Sequence, residues 1–369
     1  MDSIVFRPAK ISDLDEIYDM ALEAEVGMTS LPKDKEYMYK KISQSVKSFE
    51  RQVDHPSDEL YFFVLEDIKK KQLLGICNIL ASIGVNEPFF SYQIHHIHKQ
   101  SRLLGVKKQI PVLKLGITRN GPSEIGGLYL RKKYRQKGYG RFLSLSRFLY
   151  MHAFAHRFKK TVIAELRGVS SSKHGAPFWN YLGKTFFDME FSEADLYSSK
   201  SKEFIQDLMP RYPLYLDLLP TDIRAVIAQT HKHTKPALQL LLNEGFQFSG
   251  AVDIFDAGPK IVALTQQLRV VKNCKKRVLR SHGDVAESSV PFLVSNLNEY
   301  DFRVALSNRV VVNKSCQLDQ ALASLIHVEK GESILASPLF GEKVKKEKLF
   351  VESFNQWYQQ KTSLLITNG

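Results

Sequence analysis

Cysteine is scarce. The 369-residue chain has three, Cys77, Cys274 and Cys316, widely spaced and without a CxxC pair. An odd, scattered set of thiols excludes a disulfide framework and lacks the spacing of a zinc site. Buried or incidental thiols are expected. No apolar run approaches the roughly 20 residues that span a bilayer. The chain opens on a strand-like pattern, Met-Asp-Ser-Ile-Val-Phe-Arg-Pro, with no charged segment before an apolar signal core. A cytoplasmic protein with no membrane partner is therefore expected. There is no repeat of fixed period and no low-complexity tract.

Basic charge is plentiful. Fifty-two Lys and Arg stand against 39 Asp and Glu, a formal net charge of +13. The basic clusters, at 69–71, 131–137, 272–280 and 343–348, are scattered, and aromatics are not interleaved with them as in nucleic-acid-binding stretches. Most of the charge therefore reads as solvated surface, against a nucleic-acid partner. The stretch around Arg135 is the exception.

Periodicity orders the elements. Residues 4–9 form a short strand. A helix starts over 11–17, with Ser12 placed to cap it, and another covers 35–51. Strands at 60–65 and 73–83 flank a charged turn as a hairpin. A strand at 124–130, a helix at 141–158, a strand at 161–166 and helices at 178–187 and 236–245 follow. Beyond 262, short strands at 291–294, 302–306 and 310–312 dominate. This order is neither regular βαβ alternation nor all-β, so an α+β fold is expected. The expected division is 1–262, a main domain; 263–345, a β-rich C-terminal domain; and 346–369, a tail. The Phe-rich helix and Trp179 read as core. His95, His96 and His98 have no nearby Cys or clear carboxylate partner, and read as a loop rather than a metal site.

One segment carries chemistry. Between the strand at 124–130 and the long helix lies Arg135-Gln136-Lys137-Gly138-Tyr139-Gly140. Two glycines two apart let the backbone turn tightly and bring N–H groups to a ligand. The helix behind them adds free N–H groups and a positive dipole end, and Arg135 and Lys137 add charge. A diphosphate is the expected guest. No Gly-Lys-Ser/Thr and no GxGxxG falls in the segment, so it is neither a Walker loop nor a dinucleotide fingerprint.

Arg-x-x-Gly-x-Gly between a strand and a helix resembles the CoA-pyrophosphate loop of the GNAT N-acyltransferases. Further blocks resemble arginine N-succinyltransferases: Met28-Thr29-Ser30-Leu31-Pro32, Phe63-Val64-Leu65-Glu66-Asp67, Leu74-Gly75-Ile76-Cys77, Ala164-Glu165-Leu166-Arg167-Gly168, Pro177-Phe178-Trp179, Leu208-Met209-Pro210 and Asp253-Ile254-Phe255-Asp256-Ala257-Gly258-Pro259. They run in the family's order from about residue 4 to residue 260. The resemblance implies a GNAT-like mixed, largely antiparallel sheet flanked by helices. It implies succinyl transfer from succinyl-CoA to the α-amine of L-arginine, in ammonia-producing arginine catabolism, with succinyl-CoA as co-substrate and no permanently bound cofactor. A homo- or hetero-oligomer is expected.

The resemblance places a succinyl-CoA contact on Leu128 and the proton donor on His231, beside a second histidine, His233. The cofactor-binding set expected is Leu128, Arg135, Lys137, Gly138 and Gly140, with no metal. Gly126-Gly127 stand where the family leads one to expect bulkier residues. Glu124, Glu165, Asp253 and Asp256 are acid candidates for a guanidinium, and Arg167 a candidate for a carboxylate. The loop of Thr29 and Ser30 either lines the pocket or caps the next helix. Alternatives are the same fold acting on ornithine or using acetyl-CoA, a catalytically silent subunit, or a non-catalytic basic RNA-binding module.

Overall fold

A computed structural model describes residues 3–24, 31, 33–135, 137–171, 175–198, 201–283, 285, 287–312 and 316–341. Of the loop 28–32, only Leu31 is among them. The pocket-lining or capping role of Thr29 and Ser30 lies outside the described residues, as does the tail 346–369.

The chain begins with β1 (Ile4–Pro8), α1 (Leu14–Glu23) and α2 (Lys35–Glu50). The hairpin β2 (Leu60–Asp67) and β3 (Gln72–Leu80) follows, then a longer hairpin, β4 (Phe89–Ser101) and β5 (Val106–Thr118). Next come β6 (Ser123–Leu130), α3 (Tyr139–Ala153) and β7 (Thr161–Glu165). A helical stretch holds a π-turn (Trp179–Gly183), α4 (Lys184–Phe187), α5 (Phe191–Ser198) and α6 (Glu203–Leu208). After it come β8 (Leu214–Tyr215), α7 (Thr221–Val226), α8 (Lys235–Glu244), β9 (Gln247–Val252), β10 (Pro259–Leu264) and α9 (Arg269–Lys272). The last elements are β11 (Lys275–His282), β12 (Phe292–Ser295), β13 (Val304–Ser307), β14 (Val310–Val312), β15 (Cys316–Leu318), α10 (Gln320–Leu325) and β16 (Ser333–Pro338).

Among the described residues the strands form one sheet, in the order β14-β15-β11-β16-β12-β13-β1-β2-β3-β6-β7-β10-β9-β4-β5-β8. It is antiparallel except where β6 meets β7 and β11 meets β15. The fold is thus α+β, a mixed, largely antiparallel sheet flanked by helices.

Side-chain alternation assigns the helices to faces. On β2, Tyr61, Phe63 and Leu65 enter the core that contains α3 and α8, whereas Phe62 and Val64 enter the one with α1 and α2. A strand covered on both faces must be apolar throughout, which explains the unbroken run Leu60-Tyr61-Phe62-Phe63-Val64-Leu65. The C-terminal strands have a cluster of their own around Leu279, Val294 and Ile334. They also join the main sheet, since β13 pairs with β1, and send Leu293, Phe302 and Val304 into the main core.

Two local expectations need correction. Ser12 does not cap α1. The Asp13 carboxylate accepts the Lys10 N–H at 2.7 Å and is held by both Nη atoms of Arg7, at 2.8 and 3.0 Å. A buried charged pair is the stronger partner for the turn. The histidines 95, 96 and 98 lie on β4, not in a loop. They pair with Val112, Pro111 and Gln109 of β5. Phe90, Tyr92 and Ile94 alternate as buried residues at the start of β4, but the turn end of the hairpin, which holds these histidines, is polar and more exposed, so the pattern fades there.

Candidate active site

β6 positions the centre of the site. It pairs with β3 at Asn78↔Gly126 and again at Ile76↔Tyr129, so β6 carries one residue more than its partner between these points. This is a β-bulge. Gly127 sits there with φ +59°, and a Cβ on it would lie 2.4 Å from Asn78 Nδ2. Glycine, rather than the bulkier residue expected, is therefore required here. The bulge also inverts the strand's faces. Ile125 packs with the α3 core before it, Tyr129 with the α1–α2 core after it, and Leu128 is turned onto the α3 side.

On its other edge β6 pairs with β7 only at Ser123↔Val162 and Glu124↔Ile163. Gly127 and Leu128 thus have no ladder partner on either side. Their backbone polar groups stand where two parallel strands part, and Leu128 is half-buried. Beneath them the buried Arg147 of α3 donates to the Gly126 carbonyl at 3.4 Å and to Ser144. Sequence reading missed Arg147 because it falls in a run of core residues.

Four residues after Leu130 the basic loop begins. Arg135 and Lys137 are exposed. Arg135 donates to the Leu130 carbonyl at 3.0 Å, and its guanidinium lies 5.7 Å from the Tyr129 ring centroid. Gly138 is the N-cap of α3, with φ +82°. No side chain caps the helix, and its first turn holds no acid. Free N–H groups and flanking cations suit this helix start to an anion. Gln136 of the loop lies outside the described residues.

His231 is 9% exposed and precedes α8. Its backbone N–H donates to the Arg167 carbonyl just beyond β7, at 2.9 Å, and its own carbonyl accepts from Thr234. The His233 N–H donates to its Nδ1 at 3.3 Å, so in the neutral ring the proton sits on Nε2. The two rings meet edge to face, 5.1 Å apart. The far end of α8 returns to the basic loop, where Arg141 of α3 lies 3.9 Å from Glu244. The ten residues of α8 span about 15 Å. His231 and the anion site thus stand a helix length apart, about the reach of an extended pantetheine arm.

The acid candidates come together. Glu124 and Glu165 point to the face away from α3, because Glu124 pairs with Ile163 and Glu165 stands two residues further along β7. Lys260 lies directly opposite Glu165. Burial raises both glutamates; Asp253 and Glu124 push Glu165 well above the usual range, while Lys202, Lys260 and Lys41 oppose the rise at Glu124. Burial, with Asp253 next to it, pushes Asp256 up to about 8. Burial raises Asp195 to about 6, with Asp253 adding and Arg167 opposing, and lowers Lys41 to about 8. Asp195, Lys41 and Lys202 joined this cluster unforeseen, since only the fold brings three distant segments together.

Asp256 has a scaffold role. Its oxygens accept the N–H groups of Gly168 and Gly258, at 2.7 and 2.8 Å. A Cβ on Gly258 would fall 2.0 Å from the Leu166 carbonyl. This latch ties the end of β7 to the β9–β10 turn. It accounts for the glycines in Arg167-Gly168 and Ala257-Gly258.

A mixed, largely antiparallel sheet flanked by helices, with a basic glycine loop between a strand and a long helix, places the chain among GNAT-type acyltransferases. The more particular assignment comes from its relatives. A family model described as arginine N-succinyltransferase beta subunit matches residues 4–270. The arginine N-succinyltransferase of Yersinia pestis (strain Pestoides F) is 36% identical over 347 residues, covering 92% of this chain and 99% of that protein. The arginine N-succinyltransferase subunit beta of Pseudomonas aeruginosa is 35% identical over 341 residues, with the same coverage. Among solved structures, the arginine/ornithine succinyltransferase subunit AI from Pseudomonas aeruginosa superposes with a TM-score of 0.84 at 32% identity, over 92% of this chain and 99% of that one. The chain belongs to the arginine N-succinyltransferase family.

Proposed function

We propose that this protein transfers the succinyl group of succinyl-CoA to the α-amine of L-arginine, releasing N2-succinylarginine and CoA. The observation that carries this reading is the unpaired stretch Gly127–Leu128 of β6, set between a basic helix start and a buried histidine a helix length away. The CoA diphosphate rests on the N–H groups at Gly138 and Gly140, with Arg135 and Lys137 beside it. The pantetheine arm follows the open edge of β6. The thioester carbonyl accepts a backbone N–H near Leu128.

The chemistry then needs three events. The α-ammonium loses a proton to solvent, its nitrogen lone pair attacks the thioester carbon, and the C–S bond breaks as the carbonyl reforms and the new amide nitrogen sheds its second proton. The thiolate takes a proton. His231 is the donor in this scheme, since imidazole titrates near neutrality and an Nδ1 that accepts the His233 N–H puts the neutral ring's proton on Nε2. No metal is assigned a role. The reaction is proposed to take place in the cytoplasm, as part of arginine catabolism; no helix among the described residues is long and apolar enough to cross a membrane.

Ornithine is a second acceptor to test, because the Pseudomonas structure with the same fold is described as an arginine/ornithine enzyme. The experiment is thiol release from succinyl-CoA with arginine, against ornithine and against acetyl-CoA. Release that requires both succinyl-CoA and arginine is expected. Steeply salt-dependent RNA binding without thiol release would replace the enzyme reading by that of a basic binding module.

A further inference from the structure

Two carboxyl groups on the sheet face away from α3, Glu124 and Glu165, have no structural employment that explains them. Glu165 Oε1 is fully buried and meets no hydrogen-bond partner. Among the described residues no ion pair within 4 Å is made by Glu124, Glu165 or Asp253, although Lys260 and Lys202 stand nearby. Both lysines lie over the Phe89 ring instead, with Nζ 4.5 and 5.1 Å from its centroid. A buried carboxyl oxygen without a donor, as at Glu165, is costly, and Glu124 and Asp253 nearby oppose its ionisation. An arriving cation with several N–H donors would relieve both terms. Asp253 differs from the two glutamates, because its Oδ1 already accepts the N–H groups of Phe255 and Asp256.

The surroundings suit a ligand. Glu124, Glu165 and Asp253 each retain partial exposure, as walls of a cleft do. A cavity of about 340 Å³ lies one strand over; Lys260, which faces Glu165 across the strands, is in its wall, whereas the three carboxyl groups are not. From Glu165 to Arg167, whose carbonyl holds the His231 backbone, is two residues of extended chain, about 6.6 Å. That is close to the length of an extended arginine side chain.

We propose that Glu124 and Glu165, backed by Asp253, form the acceptor subsite that grips the cationic end of the amino-acid side chain while its α-amine faces the His231 end of β7. This rests on the acyl-transfer reading above for its substrate class. A planar guanidinium can donate two parallel hydrogen bonds to one carboxylate and reach the other with its remaining N–H groups. A neutral ureido group of the same shape cannot satisfy two anions.

The test uses the full chain, Glu165→Gln and Glu124→Gln, with L-arginine and L-citrulline, its neutral isostere. Steady-state thiol release from succinyl-CoA is measured alongside calorimetric binding of each amino acid alone. Each substitution should raise the KM for arginine roughly 10- to 100-fold, leave the KM for succinyl-CoA unchanged, and narrow the preference for arginine over citrulline. A single cooperative melting transition would show that the variants fold. An arginine-to-citrulline preference in both variants equal to that of the wild type overturns the subsite. Wild-type protein that binds arginine no better than citrulline overturns it as well. If the wild type releases no thiol with arginine, the activity reading falls by itself; arginine binding that weakens in Glu165→Gln would still uphold the subsite.

Discussion

At the scale of single residues, the site depends on positions whose backbone matters as much as their side chains. His231 is fixed through its main chain to Arg167 and through Nδ1 to His233, so its ring is oriented before any substrate arrives. His231→Ala should keep its melting temperature within about 1 kcal/mol of stability yet lower kcat by roughly 10²- to 10⁴-fold. Turnover at the wild-type rate in a thiol-release assay would remove His231 from the proton step. The equivalent change at His233 separates the two histidines, because the His233 backbone N–H, not its ring, holds Nδ1 of His231. Much of this was legible in the sequence. The glycine loop and His231 could be named from motif and resemblance. The reason for Gly127 could not, because its φ of +59° answers to Asn78 on another strand.

Among elements, the decisive feature is how two neighbours fail to pair. β6 and β7 share two residue pairs and then separate, and the bulge frees Gly127 and Leu128 on the β3 side as well. Helices brace the opening. Arg157, 1% exposed, sits in the turn after α3 and donates to the carbonyls of Ser48 and Arg51, at 3.0 Å each, to the Tyr61 hydroxyl at 3.1 Å and to Glu299. One guanidinium thus joins the end of α2, the start of β2 and the C-terminal region. Arg157→Ala would strand two buried carbonyls and an acid, and should cost about 3–5 kcal/mol of stability in denaturant unfolding. A loss under about 1 kcal/mol would show that water replaces the network. Sequence periodicity gave the strands on either side of this network their correct places, but not the hairpin β4–β5. It gave no hint of the register that lines up Glu124, Glu165 and Lys260.

The whole molecule carries a charge asymmetry with a pH signature. Asp256, lifted to about 8, and Glu165, lifted well above its usual range, hold protons in the folded state that the unfolded chain gives up near pH 4. The native state therefore binds more protons than the unfolded one across that window, and stability falls as pH rises. Lys41, lowered to about 8, is protonated in both states below that value and adds no slope there. Melting temperatures followed from about pH 5 to about pH 8 should decline, and Glu165→Gln should flatten the decline. Equal slopes in the two proteins would mean that Glu165 is ionised in the fold. The same scale governs the C-terminal strands. We propose that 263–345 acts as a β-rich domain that is inseparable from 1–262, since β13 covers the edge of β1 and Phe302 packs against Tyr150 and Phe154.

By itself the sequence determined the α+β class and the family, and it marked the basic glycine loop and the histidine as candidates, because these depend on local conformation and on blocks of contiguous residues. Periodicity needs only neighbours along the chain, and a nest of N–H groups needs only a turn and a helix. Tertiary structure alone decided which distant charges meet. Glu124, Glu165, Asp195, Asp253, Lys41 and Lys202 come from six separate segments. Their protonation depends on the burial and mutual distance that only a folded sheet imposes.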